Sequence, residues 1–516
     1  MNWKIIVKSL GHKEMRKRIL AVLGMLLVFR ILAHIPVPLG DPETLKQVLN
    51  NLFEQTSGSN LLGYLNVLSG GALSNFSIML VGLGPYINAS IIMQLLTKAI
   101  PKLEALNKEG EFGRKKINQY TRMLTFPLAI VQSIGTIYLI RQQAASIGGL
   151  GDITANTSSG EWVLMIAALT GGAMILMWLG EQITERSIGN GISLLITVGI
   201  VSGLPSLFTQ LGKTTIWVSA SGASDKWVIL GHDFSRRGVI SVTAIALAVV
   251  FMTWSVVKLN EAARRLTINY AKRVQGNRTY GGVTTTLPVK LITAGVIPII
   301  FAVAFLSVPS FLGQILTQGQ GAAFPSDTRM EHLGVILSEL FQNPTAQTFA
   351  AGGWKPWVYP LTYFGLVFVF TYFYTSVTFN SKEIAENLQK QGGFIANIRS
   401  GKQTEKYLSR TVNRLTLFGA SALGLLAVMP IVAQIWVDPS VALGLGGTSI
   451  LILVAVSLET LRQIESRAMM ITYDQYEQPD YFYEEASTPA TGAKYLRFLP
   501  NKSSLLKLPS KKPKKK

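Results

Sequence analysis

Leu83 and Ile87 stand four residues apart, as do Ile192 and Ile196. At that spacing both members of a pair project from one face of a helix. None of these side chains can ligate a metal, transfer a proton or attack a carbonyl. Branched aliphatics can instead exclude: a collar of them stops small ions, because an apolar ring does not replace the water they must shed. By spacing alone, ordinary core or lipid-facing packing is the more usual account of the pairs. Groups that carry catalysis are sparse. The chain has no cysteine and four scattered histidines, and it contains no H-E-x-x-H, Walker or G-x-S-x-G pattern. "GNG" at Gly189 to Gly191 lacks the strand-and-helix context of a nucleotide-binding turn. Arg30, Glu459 and Arg462 lie in or near apolar stretches, where pairing or snorkelling is the ordinary expectation. Thiol and disulfide chemistry are excluded, and intramembrane catalysis, metal binding and ion coupling are disfavoured.

The elements that must position these residues follow from the apolar blocks. Of 516 residues, 48% are hydrophobic and 15% charged, with a mean hydropathy of +0.34; a soluble chain carries about 25% charge. The apolar residues gather into blocks of roughly 20, enough to cross a ~30 Å hydrocarbon core. Ten are expected: about 19–38, 76–98, 120–141, 161–181, 190–210, 238–258, 289–311, 357–379, 412–436 and 441–462. Without water to satisfy exposed backbone groups, each should be helical. The first block is long, contains Arg30 and His34 and has no A-x-A-like site, so it should persist as a span rather than be cleaved. The net charge of +20 concentrates in the N-terminus, alternate loops and the C-terminal tail, which places both termini in the cytosol.

Between the blocks the chain is uneven. Residues 1–18 read as an amphipathic segment on the membrane surface. "LLGYLNVLSGGALSNFSI" (Leu61 to Ile78) is moderately apolar but too short to cross. The gaps 211–237 and 312–356 read as outer loops or short helices without evident chemistry. Two cytosolic loops, Lys258 to Lys290 and Ser381 to Val412, are strongly basic and longer than a connection requires. "RRLTINYAKRVQG" alternates like a strand, and "FIANIRSGKQTEKYL" shows a turn before a helix start, so both should be ordered protrusions. The stretch 476–516 ends "KLPSKKPKKK", a basic tail with no apolar period. "GLGPYI" and "AGVIPIIF" interrupt the second and seventh blocks, the same place in each group of five. That pattern suggests an inverted repeat with a pathway between its halves, which a secondary transporter of a small solute would also show.

Several stretches carry a resemblance to a known family. "NVLSGGALSNFSI", "PYINASIIMQLL", "KEGEFGRKKINQYTR", "MWLGEQITERSIGNGIS", "NYAKRVQGNRTY", "LPVKLITAGVIP", "IRSGKQTEKYL" and "GGTSILI" resemble, in this order, the SecY family, the channel subunit of the Sec protein translocon. The resemblance runs from about residue 16 to 473. It implies an all-α polytopic membrane fold, with ten transmembrane helices in two inverted five-helix halves forming a clamshell and a short re-entrant plug helix. The halves would be 19–212, with the plug at about 61–74, and 213–475. It implies a protein-conducting channel without enzymatic activity or cofactor, passing unfolded proteins across the membrane and releasing hydrophobic segments sideways into lipid.

By the same resemblance, Leu83, Ile87, Ile192, Ile196, Ile300 and Ile452 would form the pore ring. Leu65, Leu68, Ser69, Gly70, Gly71, Ala72 and Leu73 would belong to the plug, and Gly82, Gly84, Pro85, Asn88 and Pro298 to the lateral gate. Arg264, Arg265, Lys272, Arg273, Arg278, Arg399 and Lys402 would dock the SecA motor or the ribosome. Implied partners are SecE-like and SecG-like small membrane subunits, SecA, the ribosome, unfolded secretory and membrane-protein clients, and anionic lipids at the lysine-rich tail. The implied location is the plasma membrane, or a thylakoid membrane. The chain departs from the family pattern at Asn277-Arg278, where adjacent arginines are usual, and at "NIRSG" in place of "GIRPG". Both departures put docking strength in question.

Overall fold

The computed structural model describes residues 13–37, 77–146, 158–186, 189–211, 226–229, 232–270, 273–275, 278–280, 282, 284–317, 328–341, 344, 348–349, 352–433 and 447–477. In chain order the helices are α1 (Lys13–Leu32), α2 (Gly84–Ala99), α3 (Pro101–Lys108), α4 (Glu111–Ser146), α5 (Ser159–Glu185), α6 (Gly191–Leu211), α7 (Arg236–Glu261), α8 (Ile297–Thr317), α9 (Thr328–Phe341), α10 (Lys355–Thr378), α11 (Ser381–Lys390), α12 (Lys402–Ala433) and α13 (Gly447–Glu477). A helix lies across each of the apolar blocks. Ser159–Glu185, Lys355–Lys390 and Lys402–Val432 are long and apolar enough to cross a membrane by length and composition. The described residues form two compact units, one of 22–460 and one of 13–21 with 461–477. In the second, Met15 and Ala468 are buried.

Local chemistry sets several helix ends. Ser158 and Glu161 form a reciprocal capping box at the start of α5, with the Ser158 N–H donating to Glu161 Oε2 at 2.9 Å. That satisfies donors the first turn leaves without partners. Pro85, Pro101 and Pro356 sit in the first turns of α2, α3 and α10, where proline's missing N–H costs nothing. α4 has 36 residues and α12 has 32, about 54 and 48 Å at 1.5 Å per residue. Both outrun a ~30 Å hydrocarbon core, so part of each stands beyond it.

Among the described residues the strands lie between the apolar blocks, with the strand Thr284–Lys290 running two residues into the seventh. β1 (Lys226–Ile229) and β2 (His232–Ser235) pair antiparallel, Ile229 opposite His232. This hairpin replaces the loop or short helix expected there, its two strands being joined by only Leu230 and Gly231, a short link suited to a hairpin. α9 supplies a helix in the second outer gap.

In the first basic loop, β3 (Ala263–Tyr270) pairs with β6 (Thr284–Lys290), and β4 (Arg273–Gln275) pairs with β5 (Arg278–Tyr280). β7 (Gly393–Ile395), from the other basic loop, adds to the free edge of β3, giving the order β6-β3-β7. Ile268 lies opposite Thr285 on one side and Ile395 on the other. The two basic loops are therefore joined through one three-stranded sheet, with β4 and β5 forming a separate pair.

Candidate functional site: two helix starts and a basic platform

The glycine and proline residues of "GLGPYI", read above as interrupting the second block, do not sit in the middle of a helix. They start one. Residues 78–83 are turns and α2 begins at Gly84. Gly82 adopts φ 64°, a left-handed conformation that costs an ordinary L-residue about 1–2 kcal/mol. Pro85 then occupies the first turn of α2, and the Ile87 N–H donates to the Leu83 carbonyl at 3.0 Å. "AGVIPIIF" repeats the construction. Gly295 has φ 63°, α8 begins at Ile297 with Pro298 second, and the Ile300 N–H donates to the Val296 carbonyl at 3.3 Å. Glycine, then proline three residues on, then isoleucine two further, recurs in both places.

The correspondence extends to what holds the chain leading into each helix. Ile78 lies four residues before Gly82, and its carbonyl rests in a notch at Gly172 of α5, where a Cβ would overlap it. Leu291 lies four residues before Gly295, and its carbonyl would sit 2.6 Å from a Cβ at Gly419 of α12. The segment before α2 is further pinned by the Ile78 N–H to the Ile35 carbonyl at 3.0 Å and by the Met79 N–H to Ser77 Oγ at 3.0 Å. The segment before α8 is pinned by Thr293 Oγ1 donating to Thr375 Oγ1 at 3.2 Å. α5 and α12 lie in the fourth and ninth apolar blocks, equivalent places in two sets of five.

Of the six ring candidates, Leu83, Ile87, Ile196, Ile300 and Ile452 are buried and Ile192 is half-buried. They sit at the starts of α2, α6 and α8 and in the first turns of α13. Val296, fully buried, occupies at the start of α8 the place Leu83 has at the start of α2. Sequence reasoning passed over it, although the repeated glycine-to-proline spacing could have found it. Among gate candidates, Gly82, Gly84, Pro85 and Pro298 are buried and Asn88 is half-buried. α2 packs against α8 and α4, and α4 also packs against α8. The plug candidates Leu65, Leu68, Ser69, Gly70, Gly71, Ala72 and Leu73 lie outside the described residues, as do Lys272, the linker 212–225 and the tail 478–516.

Two polar pairings emerge only in the structure. Arg122 of α4 meets the Glu181 carboxylate of α5 with both oxygens engaged, at 2.6 Å to Oε2 and 2.9 Å to Oε1. Arg30 Nη1 donates to Ser202 Oγ of α6 at 3.0 Å, which is the pairing expected of an ionisable group in a span.

The basic platform has its own core. Leu266, Ile268 and Val289 from β3 and β6, Ala385 and Leu388 from α11, Ile395 from β7, and Leu408 and Val412 from α12 form one buried cluster. Arg264, Arg265, Arg399 and Lys402 are exposed around it; for Arg273 and Arg278 the strand positions alone are described. Arg399 sits in the turn after β7, where the Thr404 hydroxyl donates to its carbonyl at 3.0 Å and Asn397 takes φ 64°. A short polar side chain tolerates that left-handed conformation. Because Leu408 and Val412 lie on the same helix that continues to Ala433, the platform is joined rigidly to an apolar block.

Comparison with known proteins gives the following. A family model described as SecY matches residues 77–461. Protein translocase subunit SecY of Streptomyces galbus is 38% identical over 480 residues, 90% of this chain and 97% of that protein. The protein of the same name from Mycobacterium tuberculosis strain H37Rv is 38% identical over 472 residues, 91% of this chain and 98% of that one. A solved protein-conducting channel aligns with TM-score 0.53 at 16% identity, over 86% of this chain and 90% of its own. The idle yeast Ssh1 complex bound to the 80S ribosome aligns with TM-score 0.52 at 14% identity, over 93% and 92%. At those identities the two structures carry the fold.

Proposed function

Since the chain belongs to the SecY family, the channel-forming subunits of protein translocases, we propose that its aliphatic helix starts form the constriction of a protein-conducting pore. The chain is a multi-pass membrane channel for polypeptide, and its family is one of channels rather than catalysts. The observation that carries the constriction is the burial of Leu83, Ile87, Ile196, Ile300 and Ile452 at the starts of helices drawn from both sets of five. With Ile192 they make an apolar collar. A passing polypeptide presents every kind of side chain, and an aliphatic wall grips none of them strongly. Small ions meet only the cost of losing water.

On this reading α2 and α8 begin at the collar and run away from it in opposite directions, as the inverted repeat requires. The halves 19–212 and 213–475 form the two sides of the clamshell, and 61–74 forms the plug. Gly82, Gly84, Pro85, Asn88 and Pro298 belong to the lateral gate between α2 and α8, where an apolar client segment leaves for lipid. Asn88 gives the closed gate a polar contact that such a segment would replace.

The platform is the docking surface. Arg264, Arg265, Lys272, Arg273, Arg278, Arg399 and Lys402 meet ribosomal RNA or the SecA motor, which powers transport that the channel itself does not. Exposed cations of this kind steer and hold acidic partners. SecE-like and SecG-like subunits complete the channel, the lysine-rich tail meets anionic lipid or RNA, and both termini face the cytosol of a plasma membrane.

The test is site-specific crosslinking of a stalled secretory precursor. Probes at Ile192 and Ile300 should capture the chain in transit, whereas a probe at Leu361, 74% exposed on α10, should not. Uptake of a labelled small solute, with no precursor captured at either ring position, would favour a transporter instead.

A further inference from the structure

α4 and α8 meet tightly at Gly135 and Phe311. A Cβ added to Gly135 would overlap Cζ at the tip of the Phe311 ring, so the ring's end abuts bare backbone. Gly135 is buried and Phe311 half-buried. One turn earlier on α4, the Gln132 amide oxygen stands 3.1 Å from where a Cβ on Gly84 would lie, so α2, α4 and α8 meet along one seam. The seam is flanked by apolar residues open to the surroundings. On α4 these are Val131 and Tyr138, 57% and 43% exposed, and on α8 they are Val308 and Leu312, 39% and 48% exposed. Val131, Tyr138 and Val308 lie three or four residues from Gly135 or Phe311, on the same helix face, and Leu312 directly follows Phe311.

We propose that Phe311 seated on Gly135 sets how apolar a client segment must be to part α4 from α8 and pass into lipid. This rests on the lateral-gate reading above. A segment that settles on the exposed flanks gains burial there, but α4 and α8 cannot separate until the Phe311 ring leaves the Gly135 notch. Only segments that bind the parted state better than the closed one by more than this contact is worth will be released sideways. Weaker segments continue through the pore. Phe311 is thus a specificity-determining residue for the choice between release and passage, and Gly135 is its complement.

The experiment uses the full translocon in proteoliposomes and model clients carrying a segment graded from alanine to leucine. The readout is the ratio of inserted to translocated product. Phe311→Ala should raise that ratio for a segment near the half-point by roughly threefold or more, while a strongly apolar segment is unaffected. Phe311→Leu should fall between. Gly135→Ala, which displaces the ring, should act in the same direction, and adding it to Phe311→Ala should change nothing further. Thermal unfolding of each variant checks that it folds, and Phe311→Leu keeps the test informative if Gly135→Ala does not. An unshifted half-point in Phe311→Ala overturns the proposal. Photocrosslinks from the segment to Ile92 of α2 and Val308 of α8 separate the two levels. If they form and the half-point stays put, the role of Phe311 is wrong and the gate stands. If they never form, the gate reading itself fails.

Discussion

Gly82 and Gly295 are structural counterparts: φ is 64° at one and 63° at the other, and each precedes by three residues the proline that opens a helix. Four residues before each, a backbone carbonyl rests on a glycine of another helix, Ile78 on Gly172 and Leu291 on Gly419. Both helix starts are built to one plan, and the buried isoleucines Ile87 and Ile300 come out in equivalent positions. Backbone geometry, more than side-chain identity, places these two isoleucines.

Substitution at these glycines should therefore be costly in a position-specific way. Gly82→Ala and Gly295→Ala each force a Cβ into left-handed backbone and should destabilise by about 1–2 kcal/mol. Gly203, with open space where its Cβ would go, provides the contrast: alanine there should be neutral or stabilising by up to about 1 kcal/mol. Thermal unfolding of the purified complex in one detergent ranks the three. Equal melting temperatures for Gly82→Ala and Gly203→Ala would remove the conformational argument.

Polar replacement in the collar should open it to ions. Ile87→Asn or Ile300→Asn gives permeating ions an amide to bind where the wall had none. Resting conductance in planar bilayers should then rise roughly threefold or more. Leu425→Asn, at a site 68% exposed on α12, should leave conductance alone. A collar variant that conducts like the parent would place Ile87 and Ile300 in ordinary packing.

The Arg122–Glu181 pair predicts an asymmetric response. Arg122 is 48% exposed and Glu181 12% exposed, so removing the arginine strands a poorly hydrated carboxylate. Arg122→Ala should cost about 1–2 kcal/mol after allowance for the exposed partner. Arg122→Ala combined with Glu181→Gln should recover most of that loss. Unfolding midpoints for the two single variants and the double variant give the coupling.

The platform separates a folding role from a contact role. Leu408, fully buried in its core, should on substitution by alanine loosen the sheet by about 2–4 kcal/mol and expose both basic loops to limited proteolysis. Arg399→Glu should leave protease resistance intact. It should weaken binding to ribosomes or SecA about tenfold, with a shallower dependence on salt. Co-sedimentation and motor binding, measured beside the digestion pattern, tell the two variants apart. Full binding by Arg399→Glu would move the docking surface elsewhere.

Much of this was legible in the residues because the bilayer imposes a length. Apolar blocks of roughly 20 coincide with helices because backbone in hydrocarbon has no other partner. Leu266 and Ile268 alternate with Arg265 and Thr267, and that alternation was enough to read β3. The hairpin of β1 and β2 was missed, since two four-residue strands carry too few alternating positions to stand out from a polar loop.

Taken alone, the amino-acid order determined the class of molecule, the location of its apolar helices and the aliphatic character of the residues proposed for the collar. Each of these depends on composition within a window of about one helix. Only the tertiary structure decided that α2 and α8 begin at their glycine–proline breaks, that β7 joins β3 from more than a hundred residues away, and that Phe311 rests on Gly135. Those are contacts between distant segments. A glycine reads the same in sequence whether it bends its own chain or makes room for another, and what meets it in space tells the two apart.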